Sequence, residues 1–153
     1  MHGQPSRREF LRLAAGLGLA SVVATRPAAA TPAEMQEAIG RIVGAAAVTP
    51  GRVTLELPPL VENGNTVPLA VGVESAMTEA EHVRAIHVFT EKNPQPDVVS
   101  VRLGPRAGRA RVATRIRLAD TQTVTAVAEL SDGSFWSAST TVVVTLAACL
   151  EDA

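Results

Sequence analysis

Among its 153 residues the chain has a single cysteine, Cys149, no tyrosine, one tryptophan and three phenylalanines. One cysteine excludes an internal disulfide and the paired Cys-x-x-Cys of a thiol-redox enzyme. So few aromatics mean a core built mainly from Val, Leu, Ile and Ala. No phosphate-binding glycine loop and no dinucleotide fingerprint is present. The formal net charge of −1 has no basic excess, so nothing favours nucleic acid. Apolar runs are also short: the longest, Leu13 to Ala24, is interrupted by Gly16 and Gly18, and falls below the roughly 20 residues a membrane span needs, so no membrane anchor is expected.

That run instead has the order of an export signal. It follows Ser6-Arg7-Arg8-Glu9-Phe10-Leu11-Arg12, with Arg7 and Arg8 as the twin-arginine pair, and precedes Arg26-Pro27-Ala28-Ala29-Ala30. Small residues before a cut after Ala30 define residues 1–30 as a cleaved twin-arginine signal and the periplasm as the destination. Removing them lowers Lys+Arg from 14 to 10 and Asp+Glu from 15 to 14, so the mature chain carries about −4. Roughly 120 residues then remain, enough for one domain with one core.

The mature part begins with a helix signature. Thr31 can cap it, Pro32 suits the first helical position, and Glu34 completes a capping box. Met35, Ile39, Ile42 and Val43 share one face, and Gly44 ends the pattern. Seven runs rich in β-branched residues follow: Val53–Leu57, Val67–Val73, Val83–Thr90, Val98–Leu103, Arg111–Leu118, Val124–Leu130 and Phe135–Leu146. Turn residues separate them, as at Asn63-Gly64-Asn65 and Asp132-Gly133. Seven short strands at this spacing predict an all-β, immunoglobulin-like two-sheet sandwich over residues 31–146, with residues 147–153 as a C-terminal arm. In Arg111–Leu118, Val112, Thr114, Ile116 and Leu118 alternate with Arg111, Ala113, Arg115 and Arg117, predicting one apolar and one basic face.

Catalytic constellations are scarce. His82 and His87 lack a metal-ligand spacing and read as surface or core histidines. Ser131-Asp132-Gly133-Ser134 reads as a hairpin turn. Arg102, Arg106, Arg109, Arg111, Arg115 and Arg117 form a sequence cluster; a solvated sheet face explains it best, with docking of an acidic partner next. Leu146-Ala147-Ala148-Cys149 matches a lipidation box but follows a whole domain rather than an N-terminal apolar segment. An accessible thiol at Cys149 is the reading that remains, since chain ends tend to be exposed.

Gly51-Arg52-Val53-Thr54-Leu55, Glu62-Asn63-Gly64-Asn65-Thr66-Val67-Pro68, Gly108-Arg109-Ala110, Ala113-Thr114-Arg115-Ile116-Arg117-Leu118-Ala119 and Leu130-Ser131-Asp132-Gly133-Ser134-Phe135 together resemble the SoxY family of sulfur carriers. The resemblance implies a sandwich paired as a heterodimer with a SoxZ-like protein, and covalent sulfur attachment at Cys149. It implies no catalytic residue, metal or cofactor in the carrier. The implied partners are periplasmic Sox enzymes: a c-type cytochrome that couples thiosulfate to the thiol, a metal-dependent thiohydrolase that removes sulfate, and a sulfane dehydrogenase. The family's tail is Gly-Gly-Cys-Gly-Gly, whereas this chain has Ala147-Ala148-Cys149-Leu150-Glu151-Asp152-Ala153. Alanine at 147 and 148 reduces backbone freedom, Leu150 adds bulk, and the two acids disfavour a thiolate. Two functions therefore stand side by side: a working carrier, and a diverged relative that serves as a non-catalytic interaction module.

Overall fold

In the structure, a computed structural model, residues 29–146 are described. The first element among them is helix α1 (Pro32–Val43), and the expected capping box is formed: Glu34 N–H donates to the Thr31 hydroxyl, and Thr31 N–H to Glu34 Oε2 at 2.7 Å. Met35 and Ile39 are buried, but Ile42 at the C-terminal end of the same face is exposed. Ala30, the residue before the expected cut, is buried and donates its N–H to the Asn93 carbonyl at 3.0 Å.

Nine strands follow: β1 (Val48–Pro50), β2 (Val53–Glu56), β3 (Leu60–Asn63), β4 (Val67–Val73), β5 (Val83–Thr90), β6 (Asp97–Arg102), β7 (Arg111–Ile116), β8 (Gln122–Leu130) and β9 (Phe135–Leu146). The larger sheet has the order β1-β9-β8-β5-β6, with β3 also paired to β9; the smaller is β2-β4-β7. The seven expected strands are present, with ends moved by one or two residues. Two more were not expected, β1 and β3, each only three or four residues long.

Both added strands run parallel to β9 on one edge, β1 opposite Phe135–Ser137 and β3 opposite Leu60↔Val143 to Asn63↔Leu146. They cover both ends of an edge that would otherwise offer unpaired backbone. Between them the chain crosses to the smaller sheet as β2, turning at Gly51 and Arg52, which have φ of 119° and 56°. At Gly51 the left-handed backbone favours glycine, and the Trp136 ring lies 3.7 Å from where a Cβ would stand. The Arg52 guanidinium sits 5.5 Å from the centre of that ring and pairs with Glu81.

The core between the sheets is aliphatic, with Val67, Leu69 and Val71 facing Ile86, Val88, Val124, Ala126, Leu130 and Val142. A second cluster lies on the outer side of the larger sheet, where Met35, Ala38 and Ile39 of α1 cover Phe89, Val127 and Phe135. Strands β5 and β8 are consequently buried on both faces, which is why β8 has almost no alternation. In β7, Ile116 is buried and the arginines are exposed as expected, but Thr114, opposite the buried Leu69, is exposed too, because β7 is an edge strand of the smaller sheet.

Candidate functional site

Cys149, the arm residues Ala147, Ala148 and Leu150, and the signal arginines Arg7 and Arg8 lie outside the described residues. What the structure builds is the root from which the arm departs. The last residue of β9, Leu146, accepts a hydrogen bond at its carbonyl from Gly64 N–H at 2.9 Å. One residue earlier, the Thr145 hydroxyl reaches the Glu62 carbonyl at 3.2 Å. On the opposite flank the Thr121 hydroxyl accepts from Val144 N–H at 3.0 Å. The Gly64 carbonyl in turn accepts from Leu118 N–H, so the Asn63-Gly64-Asn65 turn ties β9 to the segment after β7. Strand β9 is thus held from both sides to Val144 and from the β3 side to Leu146, three positions before Cys149.

Near that root Leu60 (55% exposed) and Val143 (43%) share one open face, while Leu146 (66%), three residues on in β9, is exposed on the other. Register explains the Leu60–Val143 pair, since the two stand directly opposite each other and, among the described residues, no strand lies beyond β3. The sequence concealed this pair because Leu60-Val61, between Pro58-Pro59 and Asn63, is too short to announce a strand.

The arginine cluster does not converge. Arg102 lies on the larger sheet, whereas Arg111 and Arg115 lie on the outer face of the smaller one. Arg111 is engaged by Glu56 through two hydrogen bonds of 2.9 and 3.2 Å, which hold the Glu56 carboxyl below its usual range and raise the guanidinium. Arg115 borders an open hollow of roughly 960 Å3 whose lining includes Leu55, Leu57, Pro68, Ala70 and Ala113. Ser131-Asp132-Gly133-Ser134 is the β8–β9 turn, with Gly133 at φ 82°. The Ser134 hydroxyl and N–H both donate to Asp132, lowering its carboxyl below the usual range.

His82 and His87 have settled partners. His82 Nδ1 is 3.0 Å from the Thr78 carbonyl. His87 Nδ1 is 2.8 Å from the Ser100 hydroxyl, which also lies 3.1 Å from Asp97 Oδ1. Burial lowers the His87 pKa, a pull that Asp97 and Glu129 oppose and Arg102 assists. A histidine harder to protonate in the fold than in the unfolded chain gives up stability as pH falls from above about 6.5 through the lowered folded value. His87→Gln is therefore expected to flatten the loss of denaturation midpoint between pH 7.5 and 5.5; an unchanged slope would remove His87 as its source. Among the described residues no three His, Cys, Asp or Glu side chains gather as a metal site.

Comparison with known proteins agrees with this architecture. The family model described as sulfur oxidation protein SoxY matches residues 39–149. No curated protein sequence matches the chain significantly. The sulfur carrier protein SoxY from Chlorobium limicola f thiosulfatophilum is 26% identical, with a TM-score of 0.63 over 74% of this chain and 98% of that one. A superoxide reductase (neelaredoxin) from Ignicoccus hospitalis, 17% identical at a TM-score of 0.55, covers 61% of this chain and 80% of its own, and shares the fold alone. With the family match spanning the sandwich and running on to the lone cysteine, the chain belongs to the SoxY family.

Proposed function

We propose that this chain is a periplasmic sulfur carrier that holds thiosulfate-derived sulfur covalently on Cys149. The observation that carries the reading is where the family match ends: its last residue, 149, is the only cysteine in the chain. The rigid root at Leu146 supports it, because a carrier needs a fixed body and a short reach beyond it.

In the first step Cys149 loses its thiol proton and forms an S–S bond to the sulfane sulfur of thiosulfate. This is a two-electron oxidation, with the electrons passing to a c-type cytochrome and the proton to water. Hydrolysis of the terminal S–SO3 bond by a metal-dependent thiohydrolase then releases sulfate and leaves a persulfide, which a sulfane dehydrogenase oxidises further. The chain supplies the sulfur atom that is modified and no catalytic group, so it is a shuttle rather than an enzyme. A SoxZ-like protein completes the body as a heterodimer. Export takes residues 1–30 as the twin-arginine signal, and cutting after Ala30 leaves the new ammonium of Thr31 beside Glu34, which already receives that nitrogen at 2.7 Å.

The test is thiosulfate-dependent cytochrome reduction reconstituted from the SoxZ-like partner and the Sox enzymes, with this chain as the sole carrier. Sustained turnover supports the reading, whereas pairing without turnover favours the second one, a non-catalytic interaction module. That alternative draws on the replacement of the glycines around Cys149 by Ala147, Ala148 and Leu150. Restoring Gly at 147 and 148 and ending the chain Cys149-Gly-Gly is expected to raise turnover several-fold, since glycine permits backbone angles that alanine resists. An unchanged rate would mean that neither bulk nor charge beside Cys149 limits transfer.

A further inference from the structure

On the outer face of the larger sheet, between the C-terminal end of α1 and the starts of β5 and the segment after β6, lies an open groove of roughly 690 Å3. Arg41, Arg84 and Arg102 line it, brought together from three elements. Only Arg84 has an acid partner there, Glu129 at 3.5 Å; Arg41 and Arg102 enter no salt bridge among the described residues. Asp97 stands behind His87, engaged with Ser100, and does not reach them as an ion pair. Beside these charges the groove is lined by the exposed Ile42 and by Leu103, which is partly buried against the core between the sheets. Its chemistry fits a short segment with one aliphatic side chain next to carboxylates.

Such a segment occurs once at the chain's own end, as Leu150-Glu151-Asp152. It cannot reach the groove of its own molecule. Val127 pairs with Ser137 and Glu129 with Phe135, so the groove lies nine to eleven residues back along β9 from Leu146, or about 30–36 Å. Glu151 is five residues beyond Leu146, at most roughly 18 Å of extended chain. A tail that fills the site therefore comes from another molecule.

We propose that the groove lined by Arg41, Arg84 and Arg102 binds the acidic tail Leu150–Asp152 of a second copy of this chain. Leu150 packs against Ile42 and Leu103, and the carboxylates of Glu151 and Asp152 pair with the two arginines that lack an acid. The contact joins unlike surfaces at opposite poles, so it grows into short open chains or closes as a ring. It requires no sulfur chemistry and stands apart from the carrier reading.

The experiment is sedimentation equilibrium of the reduced, processed protein over a range of concentrations at 50 and 500 mM NaCl. Mass above the monomer at low salt, falling towards the monomer at high salt, is expected. Arg102→Glu alone, and Glu151→Lys with Asp152→Lys, should each weaken association roughly tenfold or more. Mixing those two variants should restore it, because each offers the partner surface the other lacks. A monomer at every concentration, association that survives deletion of residues 150–153, or no recovery on mixing would each overturn the proposal.

Discussion

Cys149→Ser is expected to abolish all sulfur loading while leaving the fold and pairing with a SoxZ-like protein intact. The effect on loading is total because the chain contains no other thiol, so no neighbouring cysteine can take over. A hydroxyl does not substitute: an S–O bond to sulfane sulfur hydrolyses readily, and serine is not deprotonated near neutral pH. Stability should change by less than about 0.5 kcal/mol, as for surface substitutions away from packed features. The basis is that both core clusters and the bonds at Gly64, Glu62 and Thr121 are complete by Leu146, three residues upstream. The thermal midpoint and the mass shift on thiosulfate treatment read the two halves of this prediction separately. A cooperative loss of fold would place Cys149 in the structural core and end the arm reading.

The largest effect on stability is expected from Phe89→Ala. Phe89 is fully buried and joins α1 to the larger sheet through Met35, Ala38 and Ile39, with Val127 and Phe135 beside it. Large-to-small substitution at such a site costs about 3–5 kcal/mol, the transfer of the ring plus the cavity it leaves. For a domain of this size that lowers the thermal midpoint by roughly 10–20 °C. Amide exchange in Pro32–Val43 should accelerate before that in β4 and β8, because the aliphatic core between the sheets does not include Phe89. Phe89→Leu, which fills most of the space, should recover much of the loss. A loss below 1 kcal/mol would mean that α1 adds little to the body.

How much of this was visible beforehand depended on how local each signal was. The capping box at Thr31 and Glu34 lies within four residues, and the Asp132-Gly133 turn within two, so both could be read directly. Strands β1 and β3 are not legible in the sequence because their partner among the described residues is β9, more than 80 residues later, and three or four residues carry no period of their own. In the sequence the arginines from 102 to 117 form one group, because proximity along the chain hides the crossing between sheets that follows β6. The converse holds for Arg41, Arg84 and Arg102: far apart in the chain, they meet only once α1 lies on the outer face of β5 and β8. Cys149 stands out in the sequence as the chain's single cysteine, a signal that needs no structure.

The measurement that bears most directly on the carrier reading is the intact mass of the protein from periplasm of thiosulfate-grown cells, with and without reductant. The reading predicts a chain starting at Thr31 and a fraction bearing added sulfur or S-sulfonate that maps to Cys149 and disappears on reduction. A thiol that stays unmodified throughout growth on thiosulfate would contradict it.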